Sequence, residues 1–217
     1  MIFGFDYAEH VTLRDGTSVV LRLLAPEDKD LLRRGFERWS AESRYTRFLV
    51  PKQRLTDEEL RYLCDIDQVH HFAIGAIREH GDGAGNPIGL GIGRFVRLPD
   101  EPGRPPTAEA AVAVADEIQH QGLGRMLLVR LIAAATERGI ERFRCHLLCS
   151  NSGMKGLIDA LAPAHTVEIG SGVMSIDFPL PAADDPSSPL YRFLREAARG
   201  ALLPFRDGRH AHTGDLG

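Results

Sequence analysis

Gln119-His120-Gln121-Gly122-Leu123-Gly124-Arg125 is the stretch on which the reading of the fold turns. It lies between a run of small and β-branched residues at 108–114, which reads as a central strand, and a helical pattern from 124 to 138. In that helix, apolar positions 127, 128, 131, 132 and 135 fall on one face, and Gly139 closes it as a C-cap. Two glycines separated by one residue let the backbone curl so that successive N–H groups point into one concavity. The first helical turn adds unsatisfied N–H donors and the positive end of the helix dipole. Arg125 adds a fork of donors suited to a phosphate. A dinucleotide fingerprint would need a third glycine where Leu127 stands, and a Walker loop would need Lys and Ser or Thr after Gly124, where Arg125-Met126 follow. A diphosphate cradle and a plain strand-to-helix connection remain.

Outward from this unit the chain alternates strands and helices. Val11-Thr12-Leu13, a turn at Arg14-Asp15-Gly16-Thr17 and residues 18–23 read as a hairpin. Pro26 suits the first turn of a helix running to about Ser40. A second helix is expected within 41–49, and Thr56 with Glu59 forms the capping box of a third. Residues 70–79 and 88–98 read as strands joined by the glycine-rich turn 81–86, and residues 99–106 as a proline-rich loop. After the central unit come a strand at 142–148, a short helix at 152–161 and a last strand at 173–180. The sum is one α/β domain over residues 1–180 with a mixed sheet. Residues 181–217 read as a linker (PAADDPSSP at 181–189), a C-terminal helix with Leu190, Tyr191, Leu194, Ala198 and Leu202 on one stripe, and a disordered tail. That stripe packs back on the domain or forms a homodimer contact.

Composition narrows the partners. The 217 residues carry a net charge of -4 with a pI near 6.1, without the basic footprint that nucleic-acid binding leaves. No window approaches the length of uncharged apolar chain that a membrane span needs, and residues 1–10 do not read as a signal peptide. Three cysteines, Cys64, Cys145 and Cys149, point to free thiols and a cytoplasmic setting. Cys145 and Cys149 would stand about 13 Å apart on a strand, too far to share one ion, so no metal is expected.

The run Val112-Ala113-Val114-Ala115-Asp116-Glu117-Ile118-Gln119-His120-Gln121-Gly122-Leu123-Gly124-Arg125-Met126-Leu127-Leu128 resembles the central motif of the GNAT superfamily of N-acetyltransferases: Gln or Arg, two residues, Gly, one residue, then Gly or Ala. Asn151-Ser152-Gly153-Met154 resembles the motif that follows it. Leu13-Arg14-Asp15-Gly16-Thr17, Glu42-Ser43-Arg44-Tyr45 and Leu55-Thr56-Asp57-Glu58-Glu59-Leu60 are similar to the catalytic domain of bacterial protein-lysine acetyltransferases, so the likeness covers residues 11–180. It implies a single GNAT-like domain, a mostly antiparallel sheet flanked by helices, that transfers the acetyl group of acetyl-CoA directly to a primary amine, on a protein lysine or a small molecule. It also implies that the backbone of Val112, Ala113 and Val114 pairs with the pantetheine arm. Gln119, Gln121, Gly122, Leu123, Gly124 and Arg125 would frame the pyrophosphate, and Asn151 would steady the pantetheine.

Attack by a neutral amine needs a base for its proton. Glu109, at the start of the central strand where the resembled enzymes keep a catalytic glutamate, is the candidate; the plainer reading is a solvated carboxylate. Asp65, Asp67, His70 and His71 form a second polar cluster that would line an acceptor site or serve only as a solvated loop. Many members of the superfamily carry a Tyr a few residues beyond the Asn151 position as general acid. None occurs in 154–161, which leaves Cys149, Ser150 and Ser152 nearby, and Ala162-Pro163-Ala164-His165 replaces the usual Gly-Phe. These departures motivate an alternative: a catalytically inactive acyl-CoA-binding sensor or interaction domain.

Overall fold

The computed structural model describes residues 2–79 and 85–180. The expected linker, C-terminal helix and tail at 181–217, and with them the dimer contact, lie outside the described residues. So does most of the turn at 81–86.

Eight strands form one sheet: β1 (Ala8–Thr12), β2 (Ser18–Leu23), β3 (His71–Arg78), β4 (Ile88–Arg97), β5 (Thr107–Val114), β6 (Arg142–Leu148), β7 (Thr166–Gly170) and β8 (Val173–Pro179). Their order is β1-β2-β3-β4-β5-β6-β8-β7, and every pairing is antiparallel except β5 with β6. The parallel pair exists because α4 (Leu123–Glu137) carries the chain back between the two strands. Helices α1 (Lys29–Arg38), α2 (Ala41–Phe48) and α3 (Asp57–Cys64) cover the face opposite α4, and α5 (Ser152–Leu161) follows β6. Strand β7 differs from expectation. Its five residues are all exposed, so no burial pattern marks it, and only its ladder with β8 defines it.

Small residues in the middle of the sheet let the layers close. A Cβ on Gly91 would stand 3.0 Å from the Ala113 carbonyl oxygen and 3.1 Å from a Leu123 methyl, and one on Gly93 would meet Leu131 at 3.0 Å, so α4 lies almost against the backbone of β4. Ala108 and Ala110 do the same for β5. Across these alanines Phe95 and Phe143 meet at 5.8 Å, within a row of rings running Phe3, Phe72, Phe95, Phe143, Phe178 on the α4 side. Helix α4 is also pinned from its outer end. Arg130 donates from Nε to Glu9 Oε2 at 2.7 Å, Tyr7 donates to the same oxygen at 2.6 Å, and both Glu9 and Arg130 are buried.

Candidate cofactor cleft and active site

Strands β5 and β6 pair over only three register positions, Thr107 with Arg142, Ala108 with Phe143 and Glu109 with Arg144. Beyond Glu109 they part. Strand β5 continues along β4 to Val114, opposite Gly91, while β6 continues along β8 to Leu148. The phase of the β4–β5 ladder says which groups face the gap. Leu98 N–H donates to Thr107 O and Ala115 N–H to Leu90 O, so residues 107, 109, 111, 113 and 115 turn their backbone groups to β4. Val112 and Val114 therefore turn theirs toward the gap, and Ala113 does not.

At the end of β5 the chain makes a short 3-10 turn, Asp116–Ile118, and enters the loop that precedes α4. His120 (φ 63°) and Gly122 (φ 92°) are both left-handed, which curls the loop and aims its amides to one side. Among the described residues the N–H groups of His120, Gly122, Leu123, Gly124 and Arg125 make no hydrogen bond, and the ladder of α4 begins with Met126 N–H on Gly122 O. The Gln121 amide is turned back toward Ile118 O at 3.4 Å, so Gln121 adds no donor to the concavity. Gln119 likewise spends its side chain on Asp116, Nε2 to Oδ1 at 3.2 Å. Arg125 is exposed at the first turn. One neighbour was missed from sequence: Arg14, in the turn between β1 and β2, donates its N–H to Gln121 O at 3.3 Å, and its Nε lies 3.7 Å from where a Gly122 Cβ would be. Only the pairing of that turn with a loop a hundred residues away brings this guanidinium to the cradle. Asn151 caps α5, its Oδ1 accepting from Met154 N–H at 3.1 Å, which leaves its amide NH2 free of hydrogen bonds among the described residues.

Glu109 occupies the last paired register of β5 with β6 and is exposed on the side of the sheet covered by α2. Its charge acts at a distance on the Arg47 cation of α2. The end of α1 and the start of α2 are tied to the 3-10 turn that precedes the loop before α4. Asp116 accepts from Ser40 N–H at 2.7 Å and from the Ser43 hydroxyl, and Arg38 pairs with Glu117 at 2.5 Å. Burial pushes the Asp116 carboxyl up, but the hydrogen bonds from Ser43 and Ser40 prevail and hold it below the usual range.

The second polar cluster does not gather into a site. Asp67 Oδ1 accepts the N–H groups of Val69, His70 and His71 at 2.9 Å, Asp65 pairs with Lys29 at 2.7 Å, and His70 is exposed. His71 alone points inward, where its Nε2 accepts from Arg94. Cys145 is buried in β6, and burial pushes its thiol up to about 12; Cys149 lies past the strand and is exposed. Among the described residues no three His, Cys, Asp or Glu side chains converge.

The site is a splayed parallel pair, with open amides at one end and an exposed carboxylate at the other, laid out between a sheet and a helix that starts at a curled loop. The chain belongs to the acetyltransferase (GNAT) family, whose model matches residues 34–161. It is 31% identical over 194 residues to the acetyltransferase Pat of Mycolicibacterium smegmatis, a match covering 88% of this chain and 55% of that protein, so it spans about half the length of this curated relative. The GNAT domain of S. lividans PAT has a similar structure (TM-score 0.68, 28% identity, 80% of this chain and 97% of that one). The fold is also that of yncA from Salmonella typhimurium, a structure containing its cofactor acetyl-CoA (TM-score 0.57, 20% identity, 78% of this chain and 98% of that one). Among the described residues no helix is long and apolar enough to cross a membrane.

Proposed function

We propose that this chain transfers the acetyl group of acetyl-CoA directly to a primary amine, a protein lysine first among the acceptors, with Glu109 as the general base. The observation that carries the reading is the position of Glu109, the last residue of β5 to pair with β6 before the two separate. From there to Val114 the open edge of β5 runs about 16 Å, at about 3.3 Å per residue. The gap-facing groups of Val112 and Val114 would pair with the pantetheine arm along this edge. The amides of Gly122, Leu123, Gly124 and Arg125, with the Arg125 and Arg14 guanidiniums, would hold the pyrophosphate. The free NH2 of Asn151 would meet the pantetheine from the α5 side.

A lysine amine is mostly protonated at neutral pH, so it must lose a proton before its lone pair reaches the thioester carbon. The Glu109 carboxylate accepts that proton, directly or through water. The C–N bond then forms, the tetrahedral intermediate collapses with cleavage of the C–S bond, and the surplus proton on nitrogen passes to the departing CoA thiolate, leaving the amide and the free thiol. The test is thiol release from acetyl-CoA with a panel of peptide and small amines. Glu109→Gln should lower kcat by about 10²- to 10³-fold and leave the affinity for acetyl-CoA unchanged. Turnover untouched by this change removes Glu109 from the role. Tight binding of acetyl-CoA with no turnover on any amine would favour the acyl-CoA-binding sensor instead.

A further inference from the structure

Between the sheet and the layer of α1, α2 and α3 lies an open hollow, ≈ 660 Å³ with the solvent at its mouth included, whose lining contains neither Glu109 nor the loop before α4. Its wall is almost wholly apolar, with Leu32, Phe36, Trp39, Leu55, Leu63 and Ile92 among the side chains that line it. Two arginines share that wall. Arg94 rises from β4 and is 6% exposed; Arg47 comes from α2 and is half-buried.

The charges of these guanidiniums are poorly answered. Arg94 donates to the Leu63 carbonyl at 2.9 Å and to the His71 ring, neither of which carries negative charge. Burial, and secondarily the Arg94 cation, push His71 down to about 4, so it is neutral near pH 7. The Cys64 thiol nearby is pushed up to about 11 by burial and is neutral as well. Arg47 makes no hydrogen bond or ion pair among the described residues; its guanidinium sits 5.3 Å from the centre of the Phe48 ring, and Glu109 acts on it only as a distant charge. Two cations beside an apolar hollow, with no carboxylate in contact with either among the described residues, are costly unless something brings the missing charge. The arrangement repels an ammonium group, so a lysine side chain is not its occupant.

We infer that this cavity binds a small apolar carboxylate, its hydrocarbon body lying against Phe36, Trp39 and Leu55 and its carboxylate held by Arg47 and Arg94. The planar fork of each guanidinium matches a carboxylate, and the half-buried surroundings strengthen the contact. With the site filled, an anion stands beside Arg47, a cation on which Glu109 acts, so carboxylate binding is coupled to the acceptor face. Acetyl transfer is no premise of this inference, and its test needs no turnover.

The test is calorimetry and thermal shift on the full chain at pH 7.5 with hexanoate, and with hexanol and hexylammonium as probes of equal length and different charge. Hexanoate should bind and raise Tm with concentration, while the alcohol and the amine bind at least about tenfold more weakly. Saturating CoA should leave hexanoate affinity unchanged. Arg47→Met, which keeps apolar bulk and removes the charge, should weaken it about tenfold, and Arg47→Lys should restore part of the loss. Four results overturn the inference: no hexanoate binding up to about 10 mM, equal binding of hexanol, displacement by CoA, or unchanged affinity in Arg47→Met. The wild-type comparison of the three probes decides the matter even where a variant fails to fold.

Discussion

The two glycines of the cradle serve different ends. Gly122 holds φ at 92°, which a Cβ disfavours whatever the space around it, whereas Gly124 is already helical and a Cβ there meets Leu157 at 3.5 Å and Val114 at 3.7 Å, both ordinary contacts. Gly122→Ala should therefore cost about 1–2 kcal/mol of stability in urea denaturation and weaken acetyl-CoA binding. Gly124→Ala should leave stability unchanged or raise it by up to about 1 kcal/mol while still weakening binding, because under the proposed function its methyl would stand where the pyrophosphate is held. Equal binding in both variants would place the cofactor elsewhere. His71 yields a second expectation. Its folded value of about 4 lies below the ordinary 6.5, so between those values the unfolded chain takes up a proton that the folded chain refuses. Stability must then fall as pH drops through this window and level off below it. The shift corresponds to about 3 kcal/mol, and partial exposure reduces that to about 1–2. Urea midpoints at pH 7.5 and 5 should record the fall, and His71→Gln should flatten its share of it.

At the scale of elements, the buried pair Glu9–Arg130 joins β1 to α4, and helix and strand are otherwise distant in sequence. Glu9→Gln removes the carboxylate charge beside a buried guanidinium and should cost about 3–5 kcal/mol, read as a lower urea midpoint, whereas replacing both residues with apolar ones of similar size should cost much less. A double change as damaging as the single one would refute this account. Sequence made several elements plain. Thr56 and Glu59 form the capping box they were read as, with Thr56 Oγ1 accepting from Glu59 N–H at 3.2 Å and Glu59 Oε2 from Thr56 N–H at 2.9 Å. The unit from β5 through α4 to β6 was equally legible, because a run of small residues, a glycine pair and a 3.6-residue stripe are each local signals. Strand β7 was not, since exposure of all five residues removes the alternation that betrays a strand. The 3-10 turn at Asp116–Ile118 escaped for a related reason: its tie to Ser40 and Ser43 is made across more than seventy residues.

For the molecule as a whole, the curled loop between β5 and α4 was readable because glycines and a helix start are written locally. The phase of its donors was not. That the Gln121 amide turns back, that Arg14 closes over the loop, and that Arg47 and Arg94 share one cavity are products of tertiary pairing, and nothing in the spacing of those residues announces them. The same is true of the point where β5 and β6 separate, just beyond Glu109. This separation leaves a sheet with two edges inside the protein as well as two outside, and the inner pair should be visible in amide hydrogen exchange. Without ligand, Val112 and Val114, facing the gap, should exchange as readily as edge residues, while Ala111 and Ala113, bonded to β4, stay slow. Added acetyl-CoA should slow the first two and leave their neighbours alone, writing an alternation of protected and unprotected sites along a single strand. Uniform protection along β5 without ligand would contradict it.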